Sequence, residues 1–160
     1  MNISFVPGYD RPEVVRELFL EYTHMLVEGE PAFKQYLNMQ HFDDEIRDLE
    51  MKYGLPEGRL YLVYMDEEVA GCVALKKIDK HSCEIKRLYV RSCFRGHRIG
   101  EKMVARLISD ARAIGYTRIL LDTLPFLQEA IALYRKLGFY ETEAYLVSPM
   151  THAIYLRKDL

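Results

Sequence analysis

Two arginines and two glycines stand close together in the run Arg95-Gly-His-Arg-Ile-Gly100, between a strand-like segment and a strongly helical one. The first backbone N–H groups of a helix lack internal partners and carry partial positive charge, so they suit a phosphate or pyrophosphate. Gly96 and Gly100 allow the backbone to approach a ligand closely, and Arg95 and Arg98 add fixed positive charge. The run therefore predicts an anion-binding loop.

Other kinds of phosphate loop fit this run less well. A Walker loop needs a Gly-Lys-Ser/Thr ending, which is absent, and the dinucleotide fingerprint needs three glycines, a parallel sheet and a downstream acid. On glycine spacing alone, an ordinary turn into a helix remains a valid interpretation.

The elements around the loop predict an α/β fold with a central mixed sheet flanked by helices. Strands are predicted over Ile3 to Val6, Leu60 to Met65, Val69 to Ile78, Ser82 to Val90, Arg118 to Asp122, Phe139 to Glu143 and Ala153 to Leu156. Helices are predicted to open at Pro12, at Ile99 or Gly100, and at Gln128, with a further helical region over Phe33 to Tyr53 that breaks near Asn38 to Phe42. Consecutive strands favour antiparallel pairing, and the late β-α-β order favours a parallel crossover.

Residue alternation and helical spacing assign faces within these elements. Simple alternation in the Ser82 to Val90 strand puts Glu84, Lys86, Leu88 and Val90 on one face. Apolar stripes are predicted along two helices, with Met103, Leu107, Ala111 and Ile114 on one and Ala130, Leu133, Tyr134 and Leu137 on the other. The acidic run Asp43-Asp44-Glu45 is interpreted as a solvated helix face.

Composition limits the class of protein. A chain of 160 residues with 49% hydrophobic and 29% charged residues suits one globular domain, here residues 1–160. The formal net charge is -2, so the chain lacks the excess of basic residues that is typical of nucleic-acid-binding proteins. A cytoplasmic protein is expected, because the chain has an odd number of cysteines and neither a signal-like start nor an apolar run of membrane length. No metal is expected, because the histidines lack metal-ligand spacing.

Two motifs resemble the GNAT superfamily of N-acetyltransferases. The run from Leu88-Tyr-Val90 through Arg95 to Gly100 is similar to the family's first cofactor motif, Gln/Arg-x-x-Gly-x-Gly/Ala, and Ala130-Ile-Ala-Leu-Tyr-Arg-Lys-Leu-Gly-Phe139 is similar to its second. The resemblance covers residues 60 to 141. It implies acetyl-CoA as co-substrate and direct transfer of the acetyl group to an amine within a ternary complex.

The resemblance also implies site residues. Glu84 matches the place of a catalytic glutamate, although it could equally be a surface residue paired with Lys86 or Lys77. Tyr134 matches the tyrosine near the cofactor sulfur and would act as general acid, against the alternative of a packed core aromatic. The N–H of Tyr89 or a neighbour would stabilise the oxyanion. The implied cofactor-binding residues are Leu88, Tyr89, Val90, Arg95, Gly96, His97, Arg98, Ile99 and Gly100.

Two positions depart from the family pattern. Arg98 stands where the family has its middle glycine, which is tolerable if the residue keeps helical φ/ψ angles. Leu127 stands where many members carry an asparagine that contacts the pantetheine arm.

Three functions remain open from the sequence. The first is an active N-acetyltransferase acting on a small-molecule amine, with a protein amine as the alternative acceptor. The second is a non-catalytic CoA-binding module of the same fold, and the third is an unrelated α/β phosphate-binding protein. Acceptor-side residues are expected among Tyr22, Phe33, Tyr36, Phe42, Asp43 and Asp44. No nucleic-acid or membrane partner is expected, and the family resemblance allows a homodimer.

Overall fold

A computed structural model describes residues 1–36, 39–146 and 152–160. The strands are β1 (Ile3–Pro7), β2 (Arg59–Met65), β3 (Glu68–Lys77), β4 (Ser82–Val90), β5 (Arg118–Thr123), β6 (Tyr140–Glu141) and β7 (Ile154–Asp159). The α-helices are α1 (Pro12–Gly29), α2 (Met39–Arg47), α3 (Leu49–Tyr53), α4 (Ile99–Ile114) and α5 (Gln128–Lys136), and short 3₁₀ turns span Pro31–Tyr36 and Ser92–Phe94.

The strands form one seven-stranded mixed sheet in the order β1-β2-β3-β4-β5-β7-β6. Strands β1 to β4 pair antiparallel with their sequence neighbours, whereas β4 and β5 are parallel and joined through α4. The predicted mixed α/β sheet is therefore confirmed. The β4–β5 pair is the parallel crossover that the β-α-β order indicated.

Each face of the sheet carries its own core. Helices α4 and α5 cover one face, where Met103, Leu107 and Ala111 are fully buried, as their spacing predicted. Helices α1 to α3 cover the other face around Phe19 and Tyr53. The faces stay separate because successive strand residues point to opposite sides of the sheet.

Strand β4 contains a bulge that simple alternation does not predict. Cys72 pairs with Tyr89 and Ala74 pairs with Lys86, so Val73 stands opposite two residues, Arg87 and Leu88. Arg87 has φ 58°, a left-handed conformation that is uncommon for any residue except glycine.

The bulge shifts the face assignment by one residue. Leu88 and Val90 pack on the α4 side with Ile85, whereas Tyr89 packs on the α1 side. The expectation that Leu88 and Val90 share a face with Glu84 is therefore wrong.

Strands β4 and β5 separate soon after they meet. Their ladder joins Ser82, Cys83 and Glu84 to Arg118, Ile119 and Leu120 and goes no further among the described residues. Beyond it, β4 continues to Val90 and β5 to Thr123 without pairing to each other. The sheet is open along this line.

Three element predictions need correction or restriction. The strand predicted over Phe139 to Glu143 is only Tyr140–Glu141, and the last strand runs on to Asp159. The helical region of residues 33–53 is divided a second time, at Asp48, whose carboxylate caps α3 through the Met51 N–H. Of the break expected near Asn38 to Phe42, residues 37 and 38 lie outside the described residues.

Within the described ranges, no helix combines the length and apolar character needed to cross a bilayer. The same ranges contain no cluster of histidine, cysteine, aspartate and glutamate side chains arranged to hold a metal ion.

Replacing Gly71 by alanine is expected to destabilise the protein by about 1–3 kcal/mol, the usual cost of overpacking a core. Gly71 lies opposite Val90, and an added Cβ would overlap the Tyr89 carbonyl oxygen and lie 2.9 Å from Met103 Cε. Denaturant unfolding measures the change.

Gly100→Ala is the matched control, because its Cβ would meet only Leu133 Cδ2 at 3.4 Å. It should be neutral or stabilise α4 by about 0.5–1 kcal/mol. Equal destabilisation by the two variants would contradict the close approach of β3 and β4 at Gly71.

Candidate active site

The opening between β4 and β5 leads into a cleft of about 740 Å³. Its walls come from α1, from β4 beyond Glu84, from the loop before α4, from the end of β5 and from the start of α5. The cleft thus joins the two parts of the sequence that carry the cofactor-type motifs.

The predicted anion loop lies at this cleft. Phe94 is buried and anchors the loop, while Arg95, Gly96 and Arg98 are exposed. Gly96 has φ 87°, a conformation that favours glycine.

The structure brings most of the predicted cofactor residues together. The predicted residues that line the cleft are Leu88, Tyr89, Val90, Arg95, Gly96, Arg98, Ile99 and Gly100. His97, which is half-buried, is not among the lining residues.

Arg98 does not keep the right-handed helical angles that the sequence interpretation required. It is the residue that precedes α4 and has φ 59° and ψ 26°, in the left-handed region. No side chain caps the helix at this point, so the first-turn N–H groups of α4 remain open toward the cleft. The family's glycine position is thus occupied by an arginine in a glycine-like conformation.

Leu127 is the residue that precedes α5, and it also lines the cleft without supplying a side-chain cap. Its side chain packs against the buried pair Leu26 and Leu124. The side chain at the usual asparagine position is therefore an apolar wall element.

In β4, the backbone N–H of Tyr89 points in a different direction from the N–H groups of its neighbours Leu88 and Val90. Arg91 N–H donates to the Ala70 carbonyl, and Tyr89 pairs with Cys72 in the same register. In an antiparallel ladder this register makes Tyr89–Cys72 a hydrogen-bonded pair, so the Tyr89 N–H points toward β3. The N–H groups of Leu88 and Val90 alternate with it and point toward the opening.

Glu84 is buried at 2% exposure and does not lie on the cleft wall. Its Oε2 accepts a hydrogen bond from the Tyr145 hydroxyl at 2.6 Å, and Lys86 Nζ is 3.9 Å away. The interpretation of Glu84 as a surface residue is therefore wrong. Burial, with the neighbouring Glu84 carboxylate, raises the pKa of Tyr145, so its hydroxyl remains protonated.

Tyr134 lines the cleft from α5 and is 6% exposed. Its ring packs against Phe139 at 5.7 Å between centroids. Burial, with contributions from Tyr22 and Asp122, raises the pKa of Tyr134 above the ordinary value of 10.0. The side chain is therefore both a core aromatic and a protonated hydroxyl at the cleft.

Sequence reasoning missed three side chains, Arg87 and Asp122 on the cleft wall and Tyr145 beside Glu84. Asp122 lines the cleft from β5, and an acid in the apolar run Leu120-Leu121-Asp122 was a usable signal. Tyr145 lies beyond both motifs, and no local pattern marks its contact with Glu84 across 61 residues.

Arg87 is held beneath the cleft by a buried ion cluster. Its NH2 group donates to Glu45 Oε2 at 2.9 Å, and its guanidinium stacks over Phe19 at 4.7 Å. Lys52 Nζ donates to the other Glu45 oxygen at 2.6 Å. Although burial opposes ionisation of Glu45, Arg87 and Lys52 lower its pKa below the ordinary value.

The expected acceptor-side residues divide into separate groups. Tyr22 lines the cleft, Phe33 packs near it, and Phe42 packs against the Arg87 guanidinium. Asp43 and Asp44 instead form exposed ion pairs with Arg16 and Arg47. Glu45 is buried, so the solvated-face interpretation fails for that residue. The Tyr36 side chain lies outside the described part.

Comparison with known proteins agrees with this geometry. The family described as "Acetyltransferase (GNAT) family" matches residues 16–139. An uncharacterized N-acetyltransferase of Dictyostelium discoideum is 30% identical over 99% of this chain and 98% of its own length. An uncharacterized N-acetyltransferase of Schizosaccharomyces pombe is 38% identical over 80% of each chain.

Among solved structures, a GNAT family acetyltransferase from Elizabethkingia anophelis with acetyl-CoA bound superposes with a TM-score of 0.70. It is 22% identical and covers 99% of both chains. At that identity the likeness shows a shared fold.

A mixed sheet that opens beside an uncapped helix, together with these relatives, defines an acyltransferase fold. The chain belongs to the GNAT family and is an N-acetyltransferase. The alternative of an unrelated phosphate-binding protein is thereby excluded.

Replacing Glu45 by glutamine is expected to destabilise the protein by about 3–5 kcal/mol, because Arg87 and Lys52 would lose their shared buried counter-charge. Thermal or denaturant unfolding measures the loss. Asp44→Asn is the matched control, since Asp44 pairs with Arg47 at the surface and such a pair contributes about 0–1 kcal/mol. Similar losses for both variants would refute the assigned role of the buried cluster.

Proposed function

We propose that this N-acetyltransferase uses acetyl-CoA and transfers the acetyl group directly to the amine of a small molecule. The observation that carries the proposal is the opening between β4 and β5, which shares one cleft with the uncapped start of α4. The acetyl-CoA bound to the Elizabethkingia anophelis protein supports the choice of cofactor.

The pyrophosphate of the cofactor would bind at the loop from Arg95 to Gly100. The open N–H groups of α4 supply donors, and the exposed Arg95 and Arg98 supply positive charge. Extended pantetheine would lie along the opening, where the N–H groups of Leu88 and Val90 have no partner strand. The thioester would then lie deep in the cleft near Tyr134, which lines it.

The transfer needs an oxyanion donor where negative charge develops. The amine nitrogen attacks the thioester carbonyl carbon, and the carbonyl oxygen becomes the oxyanion of a tetrahedral intermediate. Because the Tyr89 N–H points toward Cys72, the proposed donor is its neighbour, the Leu88 N–H.

Collapse of the intermediate breaks the carbon–sulfur bond and releases the CoA thiolate. Tyr134 would donate its hydroxyl proton to that thiolate, since its raised pKa keeps it protonated at neutral pH. The products are the N-acetylated acceptor and CoA.

The proton lost by the amine would reach Glu84 through Tyr145. The Tyr145 hydroxyl already donates to Glu84 Oε2 at 2.6 Å, so it can pass its proton to the carboxylate while its oxygen accepts one from the amine. This path fits a base that is buried behind the cleft wall.

Replacing Tyr134 by phenylalanine is expected to lower kcat by roughly 10²–10⁴, the usual contribution of general acid catalysis. Because the pKa of Tyr134 is raised above 10.0, the tyrosine stays protonated and wild-type kcat should not fall through Tyr134 ionisation below that pH. Steady-state kinetics from pH 6 to about 10 measure both.

Tyr140→Phe is the matched control, because Tyr140 is exposed and its hydroxyl donates to Asp159 at the far edge of the sheet, away from the cleft. An unchanged kcat for Tyr134→Phe, with CoA binding intact by calorimetry, would remove the acid role.

Glu84→Gln and Tyr145→Phe are each expected to lower kcat/KM by roughly 10²-fold or more, and the double variant should lose little beyond the worse single one. Residues that act on one proton path are coupled in this way. The rates are measured on a panel of amines from the release of the CoA thiol, and mass spectrometry identifies the acetylated products.

Additive losses would show that the two groups act separately. CoA binding without transfer to any amine in the wild-type protein would instead favour the non-catalytic CoA-binding module.

A further inference from the structure

The two sides of the opening carry opposite charges. Arg87 extends from β4 and Asp122 from β5, and both line the cleft. Asp122 pairs with Tyr155 on the sheet face that also holds Glu84, away from the α4 face, where its neighbour Leu121 is buried. An acceptor that approaches from the α1 side therefore meets a cation and an anion.

Tyr22 of α1 links these two charges. Burial raises the pKa of Tyr22 to about 12, with Arg87 acting to lower it and Asp122 to raise it. A hydroxyl influenced by both groups lies within electrostatic range of both. Since Tyr22 also lines the cleft, the three side chains face one shared volume.

The Arg87 guanidinium is fixed but not saturated. One nitrogen donates to Glu45, the Tyr53 hydroxyl also interacts with the guanidinium, and the ring of Phe19 supports its plane. The guanidinium has five N–H donors, more than these two side-chain partners use. The cluster of Arg87, Lys52 and Glu45 contains two cations and one anion. A planar guanidinium with unused N–H donors, in a cluster with excess positive charge, is suited to bind a carboxylate.

Asp122 has the complementary properties. Within the described part of the chain its carboxylate forms neither an ion pair nor a hydrogen bond, although it lies on the cleft wall. A carboxylate in that position suits an ammonium group.

We infer that the acceptor is an amine that also carries a carboxylate, an amino-acid-like zwitterion, with its carboxylate on Arg87 and its ammonium on Asp122. This inference rests on the proposed acetyl transfer and specifies the acceptor class. A polyamine would put a second cation beside Arg87, and a lysine side chain within a protein brings no carboxylate of its own.

The expected selectivity follows from the buried arginine. A site built to hydrogen-bond a charged group is left with unpaired donors when that group is missing, which costs the analogue on the order of 10- to 100-fold in kcat/KM. The preference should appear between acceptors that differ only in the carboxylate.

The test uses the full chain, acetyl-CoA and matched acceptor sets. Each set contains one amino acid, its carboxamide and its decarboxylated amine, and the sets cover acidic, basic, aliphatic and aromatic side chains. We expect kcat/KM at least 10-fold higher for one or more amino acids than for their carboxamides and amines. Equal or faster acetylation of the carboxamides and amines throughout would overturn the inference and leave the proposed acetyl transfer standing.

Variants locate the preference in the two side chains. Arg87→Lys keeps a cation for Glu45 but loses the planar fork, so the ratio of amino acid to carboxamide should fall at least several-fold. Calorimetric CoA binding by the same variant checks that the cofactor site is retained. Asp122→Asn should raise KM for every amine. An unchanged ratio in Arg87→Lys would assign the preference elsewhere and overturn the role of Arg87.

Arg106→Lys is the structural control. Arg106 likewise stacks on an aromatic ring, that of Tyr61 at 4.8 Å, and lies 3.6 Å from an Asp110 oxygen, but it does not line the cleft. It should leave the ratio unchanged. Failure of the wild-type protein to acetylate any amine would reject the proposed function itself, a result distinct from acetylation without carboxylate preference.

Discussion

The short parallel ladder between β4 and β5 is the constraint on which the rest of the site depends. Backbone N–H groups away from water need partners, and a sheet normally supplies them from the adjacent strand. Here the ladder stops at Glu84 and Leu120, so the N–H groups of β4 that follow and face the opening have no partner in β5. The proposed pantetheine would occupy that place. The same separation gives the two faces of the sheet a common cleft, which neither motif could form alone.

The bulge at Arg87 and Leu88 determines which side chains of β4 line that opening. It turns Leu88 and Val90 toward the α4 face and lets Arg87 lie over Phe19 and against Glu45. A left-handed arginine costs about 1–3 kcal/mol of backbone strain, which persists only where surrounding contacts fix the residue. The ion cluster and the stacked ring hold Arg87 in this conformation, so the strain accompanies the placement of a positive charge at the cleft.

Burial keeps protonated the two tyrosine hydroxyls on which the proposed mechanism depends. Tyr134 and Tyr145 are both removed from water, and their pKa values rise because the phenolate is the disfavoured form. One hydroxyl faces the cleft from α5 and the other joins Glu84 on the opposite side of the opening. The proposed donor for the leaving thiolate and the proposed path for the amine proton thus lie on different elements, so the two protons would be handled separately.

The sequence alone determined the element order, the mixed sheet, the loop from Arg95 that leads into α4 and the stripe that carries Tyr134, because these depend on local periodicity and on turn residues. The sequence left open whether Glu84 is a catalytic or a surface residue and required helical angles of Arg98. The burial of Glu84 and the left-handed angles of Arg98 both depend on packing. Tertiary structure decided three features, namely the bulge at Arg87, the contact of Tyr145 with Glu84, and the placement of Arg87 and Asp122 on the wall of one cleft. Each of these features depends on residues from elements that are distant in sequence. Such residues take up their positions only once the strands have separated and the helices have packed on the sheet.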